Sequence, residues 1–160
     1  MKRLLTLLVT HAIALVFGFA AGVFALPILI APPAPDNTVL LENAEVSQYV
    51  GTSSRDRADS DFLHWGEGEI SISHDAVTFM GELAPGPDYR LYFSPEFVDT
   101  EADFNALKSR MVEIGPVRTF NNFALALPEG IDPQDYGAVI VWCETFGEFI
   151  TSASLAPVQR

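Results

Sequence analysis

The stretch AVIVWCETFGEF, residues 138–149, decides the fold, because its first six residues form an apolar run that ends on the single cysteine of the chain, Cys143. β-branched residues fill the middle of the run and polar alternation is missing, which is typical of a strand covered on both faces. The two-residue period of a strand places Val139 and Val141 on the face of Cys143, and Trp142 on the opposite face. The run therefore predicts a central core strand whose thiol and indole point in opposite directions.

Cys143 has two interpretations at this stage. Cysteine is among the most buried residue types, which favours inert packing. Glu144 and Glu148 lie close in sequence, and negative neighbours raise the pKa of a thiol, which disfavours an unaided nucleophile. A bound metal ion or haem iron would supply the missing positive charge. An internal disulfide is excluded because the chain has one cysteine.

The N-terminal segment is predicted to be a membrane anchor over residues 1–31. Residues 4–31 carry no formal charge and follow Lys2 and Arg3. A bilayer core needs about 20 apolar residues, whereas the apolar part of a signal peptide has about 7 to 15, so the length favours an anchor. A cleaved signal peptide is the alternative. The two leading cations orient the N-terminus toward the cytoplasm, so the rest of the chain is expected outside it, in the periplasm or extracellular space.

Small residues recur every four positions in this segment, at Ala14, Gly18 and Gly22. That spacing lets two membrane helices approach closely, so we expect a dimerisation face there. The alternative is that glycine is simply frequent in membrane helices.

A proline-rich spacer, residues 32–37, separates the anchor from a domain predicted over residues 38–160. Prolines fix their own backbone and disfavour helix in the residue before them, so the spacer is extended. The chain has 21 acidic and 9 basic residues and a net charge of −12, and every acidic residue lies beyond the anchor. Such a balance argues against a nucleic-acid partner.

The domain is predicted to be mainly β, an antiparallel sandwich or barrel-like fold with one short covering helix. Short runs separated by glycine and proline turns are typical of such folds. The helix is predicted over residues 100–110, with Thr100 as its N-cap and with Phe104, Leu107 and Met111 on one face. Strands are predicted over residues 39–41 or 46–50, 62–73, 76–83, 89–93, 112–117, 123–127, 138–143 and 149–155.

Several ordered motifs make residues 49–155 resemble the DM-thirteen domain family, also called electron-transfer DM-thirteen. They are the GPD of residues 86–88 leading into LYFSP at 91–95, the segment 128–136, the segment 139–146 with Trp142-Cys143 at its centre, and the stretch 62–68 with His64. The resemblance implies a β-rich exported domain. It also implies that Cys143 acts in redox, as a free thiol or as the ligand of a group such as haem.

Two functional hypotheses follow, since the sequence has no hydrolase or transferase motif that would make it an identifiable enzyme. The first is a membrane-anchored redox or electron-transfer module with a redox or protein partner. Cys143, Trp142, Phe146 and His64 are its candidate cofactor-binding residues, and Cys143 and His64 its candidate metal ligands. A haem would be non-covalent, because the Cys-x-x-Cys-His motif is missing. The alternative is an extracytoplasmic binding module for a protein or sugar, without a cofactor and with Cys143 merely buried.

Overall fold

The computed structural model describes residues 2–159, so Met1 of the predicted anchor and Arg160 of the predicted domain lie outside the described residues. The described chain forms three α-helices, nine strands and two short 3-10 turns. The helices are α1 (Lys2–Ile30), α2 (Asn37–Val46) and α3 (Glu101–Leu107), and the 3-10 turns are Lys108–Arg110 and Pro133–Asp135. The strands are β1 (Tyr49–Ser53), β2 (Gly66–Ile72), β3 (Ala76–Leu83), β4 (Tyr89–Ser94), β5 (Val112–Val117), β6 (Phe123–Ala126), β7 (Ala138–Cys143), β8 (Glu148–Ser154) and β9 (Ala156–Pro157).

Strand β7 is a central strand, as its apolar run predicted, and all six of its residues are buried. It pairs antiparallel with β4 on one side and with β8 on the other, in a four-stranded sheet of order β5-β4-β7-β8. Val139, Val141 and Cys143 belong to the main core, whereas Trp142 belongs to a second apolar cluster on the outer face. The predicted division of the strand into two faces is confirmed.

The second sheet is antiparallel as well and has the order β6-β3-β2-β1-β9. Its inner residues, such as Ile70 and Phe79, meet Leu91 and Val139 of the first sheet in one core. Two packed antiparallel sheets are a β-sandwich. The predicted fold class is therefore confirmed.

Helix α3 covers the outer face of the β7 sheet, as predicted. The Thr100 hydroxyl oxygen accepts a hydrogen bond of 3.1 Å from the backbone N–H of Asp103, which caps the helix. Phe104 is fully buried and stacks on Trp142, with ring centroids 3.8 Å apart. The α-helix ends at Leu107 and continues as the 3-10 turn Lys108–Arg110, so the predicted helix changes type in its last three residues.

Of the two alternatives predicted for the first strand, residues 39–41 are wrong, because α2 occupies this segment, whereas residues 46–50 overlap the start of β1. Leu40 and Asn43, three residues apart, are its buried residues, which is helical spacing. The Asn43 side-chain amide donates hydrogen bonds to the carbonyl oxygen of Ser71 and the hydroxyl of Thr78, at 3.0 and 2.9 Å. A local apolar run cannot reveal such contacts with distant strands, and the first strand lies instead at Tyr49–Ser53.

Five strand ends meet at one end of the sandwich, which we call the Cys143 end. Antiparallel pairing brings the start of β2 beside the end of β3, at Gly66 and Leu83. In the other sheet it brings the start of β4 and the start of β8 beside the end of β7, at Tyr89, Glu148 and Cys143. The opposite end carries the β2–β3 turn.

Among the helices of residues 2–159, α1 alone is long and apolar enough to cross a membrane. Ala14, Gly18 and Gly22 lie on one face of it by their spacing, and all three are exposed. A dimer through this face stays a prediction.

Candidate functional site

Cys143 is the last residue of β7 and leads directly into the tight turn of residues 144–147. The Gly147 N–H donates a hydrogen bond of 2.9 Å to the Cys143 carbonyl oxygen and closes this turn. Gly147 has a φ of 72°, a left-handed conformation that glycine adopts without steric cost. The turn therefore holds the backbone of residues 145 and 146 close to the thiol.

The Cys143 sulfur is almost entirely buried and is enclosed by backbone groups. The residue is 3% exposed, and its thiol donates a hydrogen bond of 3.0 Å to the Pro87 carbonyl oxygen. Burial raises the pKa of the thiol, and the negative charges of Asp88 and Glu148 raise it further. The N–H groups of Phe146 and Thr145 lower the pKa by hydrogen bonding to the sulfur, but the net shift is upward. The free thiol is therefore held neutral, although two N–H donors are already aimed at its sulfur.

A mainly apolar cleft of about 440 Å³ opens beside this thiol. It lies at the Cys143 end, between the loop before β2, the β3–β4 connection and the β7–β8 turn. Helix α1 supplies the remaining wall. The lining residues are Phe19, Ala20, Val23 and Phe24 of α1 together with Leu63, His64, Pro85, Gly86, Pro87, Tyr89, Cys143 and Phe146.

His64 lies on the wall of the same cleft, so the structure brings it together with Cys143. The Asp61 carboxylate accepts hydrogen bonds from the N–H groups of Leu63 and His64, at 2.6 and 2.7 Å. Its other oxygen lies 3.2 Å from Nδ1 of the His64 ring. Slight burial raises the pKa of Asp61, but these hydrogen bonds and the His64 ring outweigh it and hold that pKa below its usual range. A carboxylate on one ring nitrogen fixes the orientation of a histidine, as it does for many metal-binding histidines.

The other two candidate residues lie apart from each other. Phe146 belongs to the β7–β8 turn, lines the cleft and is 54% exposed, so its ring forms part of the rim. Trp142 lies on the outer face of the sheet against Phe104 and does not line the cleft. The structure therefore separates Trp142 from the site.

Glu144 also turns away from the thiol. Its carboxylate accepts hydrogen bonds from the Tyr92 hydroxyl and from Lys108 Nζ, the latter at 2.9 Å to each oxygen. Burial raises the pKa of Glu144, but the Tyr92 hydroxyl and the Lys108 charge outweigh it and lower that pKa overall. The carboxylates that raise the pKa of Cys143 are Asp88 and Glu148. The sequence predicted this effect for Glu144 and Glu148, so the prediction is corrected for Glu144, whose place Asp88 takes.

Sequence reasoning missed three residues that shape the site: Tyr89, Pro87 and Asp61. Tyr89 is opposite Cys143 in the register of β4 and β7, is 2% exposed, and has its pKa raised by burial and by the neighbouring thiol. A Cβ on Gly86 would lie 2.7 Å from the Tyr89 ring, so that position has no room for a side chain. The GPD motif of residues 86–88 was the available signal, but it did not show which strand end it would meet.

The residues of the cleft fit an apolar group held by one sulfur. Its walls are mainly apolar, and two backbone N–H donors already face the sulfur, which is the arrangement that tunes a ligating thiolate. His64 is the one imidazole in the lining. Within residues 2–159 there is no group of three or more His, Cys, Asp or Glu side chains placed to hold a metal ion, so a metal would depend on Cys143 and His64.

Comparison with known families matches residues 58–155 to the family model described as Electron transfer DM13. The matched span contains the loop of His64, the GPD motif and Cys143. Curated proteins and solved structures give no match.

Proposed function

Because the chain belongs to the Electron transfer DM13 family, we propose that it is a membrane-anchored electron-transfer module in which Cys143 is the ligand of a bound redox group. The observation that carries this proposal is that Cys143 lines a mainly apolar cleft of about 440 Å³ together with His64. The backbone N–H groups of Thr145 and Phe146 lower the pKa of the thiol, which would stabilise the sulfur as a thiolate ligand.

The raised pKa of Cys143 favours the role of ligand over that of a free thiol. A free redox thiol reacts as the thiolate, and burial and Asp88 disfavour that form here. A bound metal centre reverses this preference, because its positive charge deprotonates the thiol that it binds. A haem or a metal ion bound in the cleft would supply the one-electron couple.

The residues of the chain then have distinct tasks. Cys143 would hold the group through sulfur, the backbone of Thr145 and Phe146 would hydrogen-bond that sulfur, and the apolar walls would exclude water. His64, which contacts Asp61 and lines the same cleft, would be the second ligand. We place the module outside the cytoplasm, with Lys2 and Arg3 on the cytoplasmic side of α1.

The test is the colour and metal content of the full chain, purified from membranes of cells supplied with haem and iron. We expect a visible absorption band or bound metal that Cys143→Ala and Cys143→Ser both lose, since neither supplies a thiolate. Trp142→Phe is the matched control, because it alters the neighbouring residue on the other face of the sheet and should keep the bound group. A colourless and metal-free wild-type protein would refute the ligand role.

The alternative, a binding module with a buried cysteine, is supported by the hydrogen bond from Cys143 to Pro87, which satisfies the thiol without a ligand. It predicts that alkylation of Cys143 requires unfolding. It also predicts that the two Cys143 variants keep all binding to a protein or sugar partner.

A further inference from the structure

The Cys143 end of the sandwich is also the end at which the chain arrives from α1. Asn37, the first residue of α2, accepts a side-chain hydrogen bond of 3.1 Å from Asn122. Asn122 in turn accepts a hydrogen bond of 3.0 Å from the Gly81 N–H, near the end of β3. Since the end of β3 lies at the Cys143 end, α2 starts there.

The connection between α1 and α2 is short. It comprises residues 31–36, and six residues span at most about 20 Å when fully extended. The Cys143 end therefore cannot move far from the outer end of α1, whatever orientation the domain takes.

Helix α1 is also longer than a membrane requires. It has 29 residues, which corresponds to about 43 Å, whereas the hydrocarbon core is about 30 Å thick. A span of about 20 residues beginning at Leu4 ends near Val23, so the last turns of α1 extend past the hydrocarbon. The outer part of α1 meets the domain, from the end of that span onward. Phe19, Ala20, Val23 and Phe24 line the Cys143 cleft, and Leu26 and Ile30 line a neighbouring cleft of about 350 Å³. The Cys143 cleft therefore lies at the level where α1 leaves the hydrocarbon.

Exposed apolar side chains surround the mouth of the Cys143 cleft. Phe62 is 85% exposed, Phe146 54% and Leu63 43%. Three large apolar residues on two adjoining loops form a patch that soluble surfaces avoid unless it meets an apolar phase. By contrast, the β2–β3 turn at the opposite end is polar and carries His74 and Asp75.

Two carboxylates near the mouth, Asp61 and Asp88, have side-chain partners, which lowers the cost of bringing them close to a membrane. Asp61 contacts His64 at 3.2 Å, and Asp88 contacts Arg90 at 2.8 Å. The overall negative charge of the chain still disfavours anionic lipid. The expected surface is therefore a zwitterionic one, bound through apolar contact.

We propose that the Cys143 end rests on the outer leaflet of the membrane that α1 spans, with Phe62, Leu63 and Phe146 in the interface. The inference rests on the proposed anchor and deepens the proposed function, because an electron partner then reaches the cleft along the membrane surface. It assigns a fixed orientation to the domain, with the β2–β3 turn pointing away from the lipid.

The test uses the full chain reconstituted in phosphatidylcholine vesicles, in a Cys143→Ala background. A fluorescent label is placed at Phe62→Cys or at His74→Cys, two exposed positions at opposite ends of the sandwich. Nitroxide lipids labelled on the headgroup should quench the label at position 62 severalfold more than the label at position 74. Equal quenching, or stronger quenching at position 74, would overturn the orientation.

Two further measurements keep the outcomes distinct. Flotation of the vesicles tests the anchor itself, and a chain that stays in solution would refute both the anchor and the orientation. Hydrogen–deuterium exchange of the unmodified chain should show slower exchange at residues 62–65 and 145–147 in vesicles than in detergent, with no change at 73–75. If hydrogen exchange at residues 62–65 and 145–147 is not slower in vesicles, the orientation is wrong. The redox role is tested separately, by the haem and metal content of the protein.

Discussion

The thiol of Cys143 donates a hydrogen bond of 3.0 Å to the carbonyl oxygen of Pro87, a residue 56 positions earlier in the chain. This contact joins the end of β7 to the β3–β4 connection, and it places the sulfur between a carbonyl acceptor and the N–H donors of Thr145 and Phe146. The sulfur is therefore satisfied whether it is protonated or ionised. Which state it adopts depends on what occupies the cleft.

Cys143→Ser should be tolerated better than Cys143→Ala when no group is bound. The serine hydroxyl can donate to the same Pro87 oxygen, whereas alanine loses the hydrogen bond and part of the packing, at a cost of about 0.5–1.5 kcal/mol. Urea unfolding followed by circular dichroism measures the difference. A serine variant clearly less stable than the alanine variant would mean that the Pro87 carbonyl is not available as an acceptor.

Asp88→Asn should make Cys143 more reactive toward alkylating reagents. Asp88 raises the pKa of the thiol, so removing its charge lowers that pKa and gives more thiolate at a given pH. Asp88 has a φ of 51°, a conformation that asparagine tolerates well. The measurement is the alkylation rate of the apoprotein between pH 7 and 10, and the midpoint of the variant should move to lower pH.

Asp75→Asn, at the opposite end of the sandwich, is the control for that shift. It should leave the pH profile of alkylation unchanged. If Asp88→Asn leaves the midpoint in place as well, the charge of Asp88 is not what opposes thiolate formation.

Gly86→Ala should distort the cleft, because the added Cβ would lie 2.7 Å from Cζ of the Tyr89 ring. Tyr89 is buried beside Cys143 and has little room to move, so we expect a loss of about 1–3 kcal/mol, as for other overpacked sites. Any bound group should be held more weakly. Gly115→Ala is the control, since its Cβ would meet Leu125 at an ordinary 3.9 Å. Equal stability of the two variants in thermal unfolding would contradict the close contact.

Glu144→Gln should flatten the acid limb of the stability curve. The Tyr92 hydroxyl and Lys108 lower the pKa of Glu144 in the folded state. The stability that Glu144 contributes is therefore fully present above its pKa in the unfolded chain, about 4.3, and is lost as the pH falls through its pKa in the folded protein. We expect the variant to lose roughly 0.5–1 kcal/mol at pH 7, and less as the pH falls. Urea unfolding between pH 2.5 and 7 measures both effects.

The comparison variant is Glu96→Gln. Glu96 pairs with Arg110 at 2.7 Å, but both side chains are more than half exposed, so solvent weakens that pair. It should change the acid limb less than Glu144→Gln does. The reverse order would show that the Glu144 network contributes less than its burial implies.

The strands could be predicted from the sequence because the burial of a strand in a sandwich produces a local pattern of apolar residues. The boundaries of β3, β5 and β7 agree with the predicted residues 76–83, 112–117 and 138–143. The Thr100 cap and the Phe104 face of α3 were predictable for the same reason, since capping and helical periodicity depend on residues within a few positions. Helix α2 could not be predicted in this way, because its buried Asn43 is held by Ser71 and Thr78, which lie 28 and 35 positions later in the chain.

The sequence by itself determined that Cys143 lies in a core strand and that its thiol and the Trp142 indole point in opposite directions, because the period of a strand is a property of the backbone. Only the tertiary structure decided which residues share the site with that thiol. Pro87, Tyr89 and His64 reach Cys143 across 54 to 79 positions of sequence, and the pairing of β4 with β7 and the meeting of strand ends at one end of the sandwich bring them there. The same packing turns Glu144, the immediate neighbour of Cys143, toward Lys108 on the other side of the sheet. Neighbours in a strand point apart, whereas a site is assembled from residues that the fold brings together, and that assembly depends on long-range pairing that local sequence does not contain.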